Sequence, residues 1–226
     1  MNALVTGGAG FIGSHLVERL VKESPAGGRV RVVDNLSTGK LENLQPFLSQ
    51  VEFTQGDLTD MAVCERAVRD IEVIFHEAAL PSVPKSVANP VLSHTSGVHA
   101  TVMLLDAARR AGVRRLVYAA SSSAYGDTAT LPKREDMLPQ PLSPYAATKL
   151  ASEYYMLAFA RCYQLDTVAL RYFNVFGPRQ DPDSPYSGVI ARFCLAFAEG
   201  LPLTVFGDAN RAVTSSTWTT PSRRTC

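Results

Sequence analysis

Short runs of aliphatic and β-branched residues alternate along this chain with longer stretches whose apolar positions recur at helical spacing. Residues 3–5, 30–33, 51–53, 73–75, 116–118 and 167–170 read as strands. Residues 11–22, 98–110 and 145–163 read as helices. Such alternation predicts an α/β fold, a doubly wound parallel sheet with helices on both faces. In sheets of this kind ligands bind beyond the carboxyl ends of the strands. Residues that carry chemistry should therefore follow strands directly, and the candidates below do.

Composition narrows the picture. The chain has 226 residues, 46% of them hydrophobic and 19% charged, which marks a globular protein with a sizeable core. Lys and Arg number 22 against 21 Asp and Glu, a net charge of +1, so the basic excess of a nucleic-acid binder is missing. No apolar run reaches the roughly 18 residues of a membrane span, and the N-terminus shows no basic leader of a secretory signal. Cys64, Cys162, Cys194 and Cys226 lie far apart without CxxC spacing. That argues against a metal site or disulfide framework, and for reduced thiols in a cytoplasmic protein.

The first strand runs into Thr6-Gly7-Gly8-Ala9-Gly10-Phe11-Ile12-Gly13, a G-x-x-G-x-x-G variant of the dinucleotide fingerprint of Rossmann-type sheets. Gly7 suits the tight turn, Gly10 the approach of a pyrophosphate, and Gly13 close helix–strand packing. The following helix N-terminus offers free N–H groups to phosphate. Asp34 lies 21 residues beyond Gly13 at the end of the second strand. A carboxylate there can accept from both ribose hydroxyls and would repel a 2′-phosphate, which favours NAD over NADP. Asp57, in Gly56-Asp57-Leu58 after the third strand, is placed to bind an adenine amino group. Ala78 and Ala79 after the fourth would leave room for the cofactor, with His76 beside them as a core or supporting residue.

Ser143-Pro144-Tyr145-Ala146-Ala147-Thr148-Lys149 places Tyr145 and Lys149 four residues apart, on one face of a helix. A free tyrosine has a pKa of about 10, so ionising one at pH 7 costs about 4 kcal/mol. A nearby ammonium reduces that cost, which suits Tyr145 to general-base work. Ser121-Ser122-Ser123, just after the strand at 116–118, offers hydroxyls that could polarise a substrate hydroxyl or simply cap backbone.

Taken together, TGGAGFIGSHL, DNLSTG, GDLTD, AASSSAYGD, LSPYAATK and RYFNVFGPRQ, spanning residues 1 to about 208, resemble the extended short-chain dehydrogenase/reductase family. The likeness is greatest to its NAD-dependent UDP-sugar 4-epimerases of the UDP-glucose and UDP-N-acetylglucosamine type. The resemblance implies Ser121, Tyr145 and Lys149 as the catalytic set. It implies Gly7, Gly10, Phe11, Ile12, Gly13, Asp34, Asn35, Ser37, Thr38, Gly39, Asp57, Leu58, Ala78, Ala79, Tyr145, Lys149 and Tyr172 as cofactor contacts. Ser82, Ser122 and Ser123 would meet the sugar and Asn174 the nucleotide phosphates. In the implied chemistry Tyr145 takes the proton of the sugar 4-hydroxyl while C4 passes hydride to NAD. The 4-keto sugar turns over, and hydride returns to its opposite face. A homodimer formed through the helices at 98–110 and 145–163 is also implied. Rival readings are a related dehydratase or reductase, and an NAD-binding protein without turnover. A 4,6-dehydratase would carry Asp-Glu where Ser122-Ser123 stand.

The chain departs from the family pattern in two places. Gly97 occupies the position of an asparagine that supports the family's cofactor pocket, and glycine costs up to ~1 kcal/mol in a helix interior. The second departure is residues 209–226, which hold eight Ser/Thr, three Arg, no acid and the only tryptophan, Trp218. One permitted set of codons for 211–226, read in a shifted frame, spells RDFIYVDDAVEANL and restores the family motif. The expectation is a one-base deletion near codon 209. The implied organisation is an NAD-binding domain over 1–174, a remnant of a small C-terminal substrate lobe over 175–208, and an out-of-frame, disordered tail over 209–226, with most of that lobe missing.

Overall fold

A computed structural model of the chain describes residues 1–23, 28–181, 189–202 and 215–217. Strands β1 (Ala3–Thr6), β2 (Val30–Asp34), β3 (Glu52–Gln55), β4 (Val73–His76), β5 (Arg115–Ser121) and β6 (Asp166–Tyr172) form a parallel sheet in the order β3-β2-β1-β4-β5-β6. This is the doubly wound order of Rossmann sheets, and it reverses direction between β1 and β4. Every residue of β1 and β4 is buried, which accounts for their unbroken apolar character: helices cover both faces. Leu4, Ile74 and Leu116 stand in one register row across β1, β4 and β5. They belong to a core that includes Cys64, Leu104, Leu105, Met156 and Phe159 from the helices.

Helix α1 (Phe11–Glu23) follows the glycine loop, and α2 (Met61–Ala67) is capped by Asp60, whose carboxylate accepts from Ala62 N–H. Two short helices, α3 (Val83–Ala88) and α4 (Pro90–His94), precede a single π-helical turn at Thr95–His99 that leads into α5 (Ala100–Arg110). Helix α6 (Pro144–Tyr163) opens with Ser143 as N-cap, accepting from Ala146 N–H at 3.1 Å, and with Pro144 in the first turn, both favoured there. No helix among the described residues is long and apolar enough to cross a membrane.

The chain divides into two compact units, Met1–Arg171 and Tyr172–Cys226. Within the second, β7 (Asn174–Phe176) pairs in parallel with β8 (Ser215–Thr217), and α7 covers Val189–Ala198. The strand β8 falls inside the 209–226 stretch expected to lack order. The remainder of that stretch lies outside the described residues.

Candidate active site

The glycine loop joins β1 to α1 at the carboxyl edge of the sheet. Gly7 adopts φ +68°, and a Cβ there would lie 2.6 Å from Ala78 N. Only glycine allows both the turn and this approach to the chain leaving β4. A Cβ on Gly13 would lie 2.2 Å from the Gly7 carbonyl oxygen, so α1 can start this close to the loop only without a side chain. Around Gly10 the sole neighbour of such an atom among the described residues is the Gly7 oxygen at 3.2 Å, leaving an open face at the helix N-terminus.

Asp34 is buried at the end of β2. One carboxylate oxygen accepts from Ala9 N–H at 2.9 Å and the other from Leu36 N–H at 2.8 Å. Leu36 reaches that geometry in a left-handed conformation, φ +59°. Each oxygen keeps a further lone pair. Asn43 was not found from sequence: its amide donates to Ala9 O at 2.9 Å, beside Lys40 N–H at 3.0 Å, and braces the loop from outside. Asn35 donates to Asp57 at 2.8 Å, and Asp57 also accepts from the Thr59 N–H and hydroxyl. Burial pushes the Asp57 carboxyl up. The hydrogen bonds from Thr59 and Asn35 outweigh that and hold it below the usual carboxylate range. Asp34, Asn35 and Asp57 thus line one edge of the loop, with Gly39 packed against the Asp34 carboxylate.

On the other side of the switch point stands α6. Ser121 ends β5 and caps the short 3-10 turn at Ser122–Tyr125. Its Oγ accepts from Ser123 N–H at 3.2 Å and from the Ser123 hydroxyl at 2.8 Å. The capping role weighed from sequence is therefore real, and it leaves Ser121 with its own proton to donate. Lys149 is buried, and its ammonium donates to Ala119 O at 2.7 Å while lying 4.8 Å from the Tyr118 ring centroid. It is thereby tied to the strand that bears Ser121, rather than hydrogen-bonded to Tyr145. Tyr145 is half-buried one turn earlier. Its backbone N–H donates to Ser86 Oγ at 3.0 Å, and that hydroxyl donates to Val83 O at 2.7 Å. Ser86, invisible to periodicity, fastens the start of α6 to α3. Ser82 is buried and caps α3 by accepting from Lys85 N–H at 3.0 Å. Ala78 and Ala79 are half-buried after β4. Tyr172 ends β6 and Asn174 is an exposed residue of β7; both belong to the second unit.

His76 lies between the two halves, buried at the end of β4. Its Nδ1 is 2.7 Å from Thr6 Oγ1 and its Nε2 3.0 Å from Thr101 Oγ1. The Thr101 hydroxyl spends its one proton on Gly97 O at 2.6 Å, so it must accept from Nε2–H. Nδ1 then accepts from Thr6. The imidazole is neutral, and burial, then the Lys149 charge, push it down to about 3. His76 is a supporting residue, as its position after the strand suggested.

A strand–glycine loop–helix unit, an acid at the end of β2 and a Tyr-x-x-x-Lys helix beside a serine-capped β5 thus lie along one sheet edge. The model of the NAD dependent epimerase/dehydratase family matches residues 3–213. The chain belongs to this family. Among relatives of this epimerase/dehydratase family member, a UDP-glucose 4-epimerase of Mycolicibacterium smegmatis is 42% identical over 214 residues, covering 93% of this chain and 67% of the relative. A UDP-N-acetylglucosamine 4-epimerase from Methanobrevibacter ruminantium, solved with UDP-N-acetylmuramic acid, superposes with a TM-score of 0.93 at 39% identity. That match covers 99% of this chain and 71% of that one. A Thermus thermophilus UDP-glucose 4-epimerase solved with NAD gives a TM-score of 0.88 at 40% identity, over 99% and 72% of the two chains. The chain spans about two thirds of the length of these relatives.

The loop fits the cofactor that gives the family its name. Its glycines leave an open face where a pyrophosphate would need room, and its acid holds two backbone donors with further acceptor capacity on each oxygen.

Proposed function

We propose that this chain carries out NAD-dependent epimerisation at C4 of a UDP-sugar, glucose/galactose or the N-acetylated pair. The observation that carries the reading is the fixing of Lys149 to the end of β5, one helical turn from Tyr145 and two residues from Ser121 along the strand. The glycine loop opens at the same edge of the sheet. NAD, when bound, supplies an acceptor for hydride from C4 and returns it. Asp34 holds the adenosine ribose hydroxyls, with Asn35, Ser37, Thr38, Asp57 and Leu58 around the adenosine. Phe11 and Ile12, in the first turn of α1, offer backbone N–H groups to the pyrophosphate.

Tyr145 removes the proton of the sugar 4-hydroxyl and later returns it to the 4-keto oxygen. Lys149, one helical turn away, reaches the nicotinamide ribose. The Ser121 hydroxyl donates to the sugar oxygen and shares its developing charge. Ser82, Ser122 and Ser123 contact the sugar, Tyr172 the cofactor and Asn174 the diphosphate. The exposed Tyr154, Tyr155, Leu157 and Tyr163 of α6 support a homodimer through the helices at 98–110 and 145–163, and the balanced charge and scattered thiols support a cytoplasmic protein.

Purified protein incubated with UDP-galactose or UDP-N-acetylgalactosamine should interconvert the C4 epimers, followed by proton NMR, without net NADH. Tyr145→Phe should keep the fold and lose about 10²- to 10⁴-fold in rate. NAD binding without turnover in the folded protein would reduce the reading to a binding protein. Full activity in Tyr145→Phe would remove the base assignment.

A further inference from the structure

We propose that Gly97 is a positioning residue for Lys149, acting through Thr148 and held by the buried Thr6–His76–Thr101 chain; the proposal rests on the reading of Lys149 as the cofactor-side cation. Gly97 is the middle residue of the π-helical turn at Thr95–His99. Such turns carry one extra residue, and they cluster where a helix must deliver something irregular. Here the turn presses on α6. A Cβ on Gly97 would lie 2.0 Å from Thr148 Cγ2 and 3.5 Å from Thr148 Cβ. Thr148 is buried and β-branched, so its methyl has few places to go. A side chain at 97 would displace the Thr148 side chain, one residue before Lys149, whose ammonium is seated on Ala119 O at 2.7 Å.

The seat is fixed from the other direction as well. Thr101 donates to Gly97 O at 2.6 Å, accepts from His76, and His76 accepts from Thr6 at 2.7 Å. Thr6 is the last residue before Gly7. A continuous buried chain therefore runs from the phosphate loop to the turn that sets Lys149, and every member of it lies within the first unit. The glycine departs from the family pattern and would be a defect in a regular helix. In this fold it matches a threonine large enough to fill the space that a side chain at 97 would take.

The test is NAD affinity by isothermal titration calorimetry, with circular-dichroism melts to confirm folding. Gly97→Ala should weaken NAD binding about tenfold, within the range of coupling between touching residues. Adding Thr148→Ser, which removes the obstructing methyl, should restore affinity to within about twofold. In a Lys149→Met background Gly97→Ala should cost nothing further, which a merely structural role would not produce. Thr101→Val should weaken binding while Thr101→Ser preserves it. Unchanged affinity in Gly97→Ala, or a folded Gly97→Ala/Thr148→Ser protein that stays weak, overturns the inference and leaves the epimerase reading standing. If Gly97→Ala does not fold, the Thr148→Ser double variant and the Thr101 pair decide the matter. Absence of NAD binding in the unaltered protein overturns both.

Discussion

Alanine at Gly10 and at Gly13 should separate two roles that the glycine loop combines. At Gly13 the added methyl meets the Gly7 oxygen at 2.2 Å and Gly8 Cα at 2.8 Å. Both are backbone atoms, with no flexible side chain to yield, so α1 must move off the sheet. Overpacking of that kind costs about 1–3 kcal/mol, and each kcal/mol lowers the melting temperature of a chain this size by about 2–4 °C. At Gly10 the methyl meets, among the described residues, only the Gly7 oxygen, at 3.2 Å, a contact that a few tenths of an ångström relieves. Replacing glycine restricts the unfolded chain and stabilises by about 0.4–1 kcal/mol. Gly10 is also the N-cap of α1, since Ser14 N–H donates to its carbonyl at 3.0 Å, and alanine is a poorer cap than glycine by a similar amount. The two effects nearly cancel.

Gly10→Ala should therefore melt within a few degrees of the unaltered protein while losing at least about tenfold in NAD affinity, roughly 1.4 kcal/mol. Gly13→Ala should melt lower and bind weakly as a consequence. Scanning calorimetry and titration calorimetry on the two variants measure both quantities. A folded Gly10→Ala protein that binds NAD as tightly as the parent would show that no pyrophosphate lies on the open face of the loop, and the cofactor assignment would fall with it.

Two further outcomes follow from buried groups. His76 is neutral when folded, held down to about 3 against an ordinary value of 6.5, so the unfolded chain binds the extra proton. Its contribution to stability is complete above pH 6.5 and is lost as pH falls toward 3, by up to about 1.4 kcal/mol per unit. Urea titrations at pH 7 and pH 5 should show a steeper acid loss in the parent than in His76→Asn, and equal slopes would refute the neutral assignment. Arg171 donates to both Glu153 oxygens, at 3.0 and 2.7 Å, and lies 4.6 Å from the Tyr125 ring centroid. Glu153→Gln should cost about 2 kcal/mol in chemical denaturation, less than a fully buried pair because both side chains keep some exposure. A loss below about 0.5 kcal/mol would place the pair among surface bridges.

The parts legible in the sequence are those where several local constraints agree. Strand, glycine loop and helix N-terminus each demand a residue type at fixed spacing, and Asp34 follows at the right remove. The strands and the long helices came within a few residues for the same reason. What escaped was carried by single side chain–backbone bonds. Asn43 on Ala9 and Ser86 on Tyr145 leave no periodic trace. The π-helical turn escaped as well. The apolar rhythm of 98–110 runs on from it without a break, and one added residue at its head leaves no mark on that rhythm. Gly97 therefore read as a weak spot in a helix, where the fold uses it as a point of close contact.

Spacing placed Tyr145 and Lys149 on one helix, α6, but did not settle whether the ammonium binds the tyrosine. The ammonium goes instead to Ala119 O and lies near the Tyr118 face, while burial pushes the Tyr118 hydroxyl up so that it stays a neutral phenol. The neighbouring imidazole is kept neutral by its burial and by the Lys149 charge, while Thr101, whose proton goes to Gly97 O, accepts from its Nε2–H. A second cation beside a buried lysine would have to be desolvated against like charge. Lys149 is thus left as the sole positive charge among its immediate buried neighbours, Tyr118, Ala119 and His76.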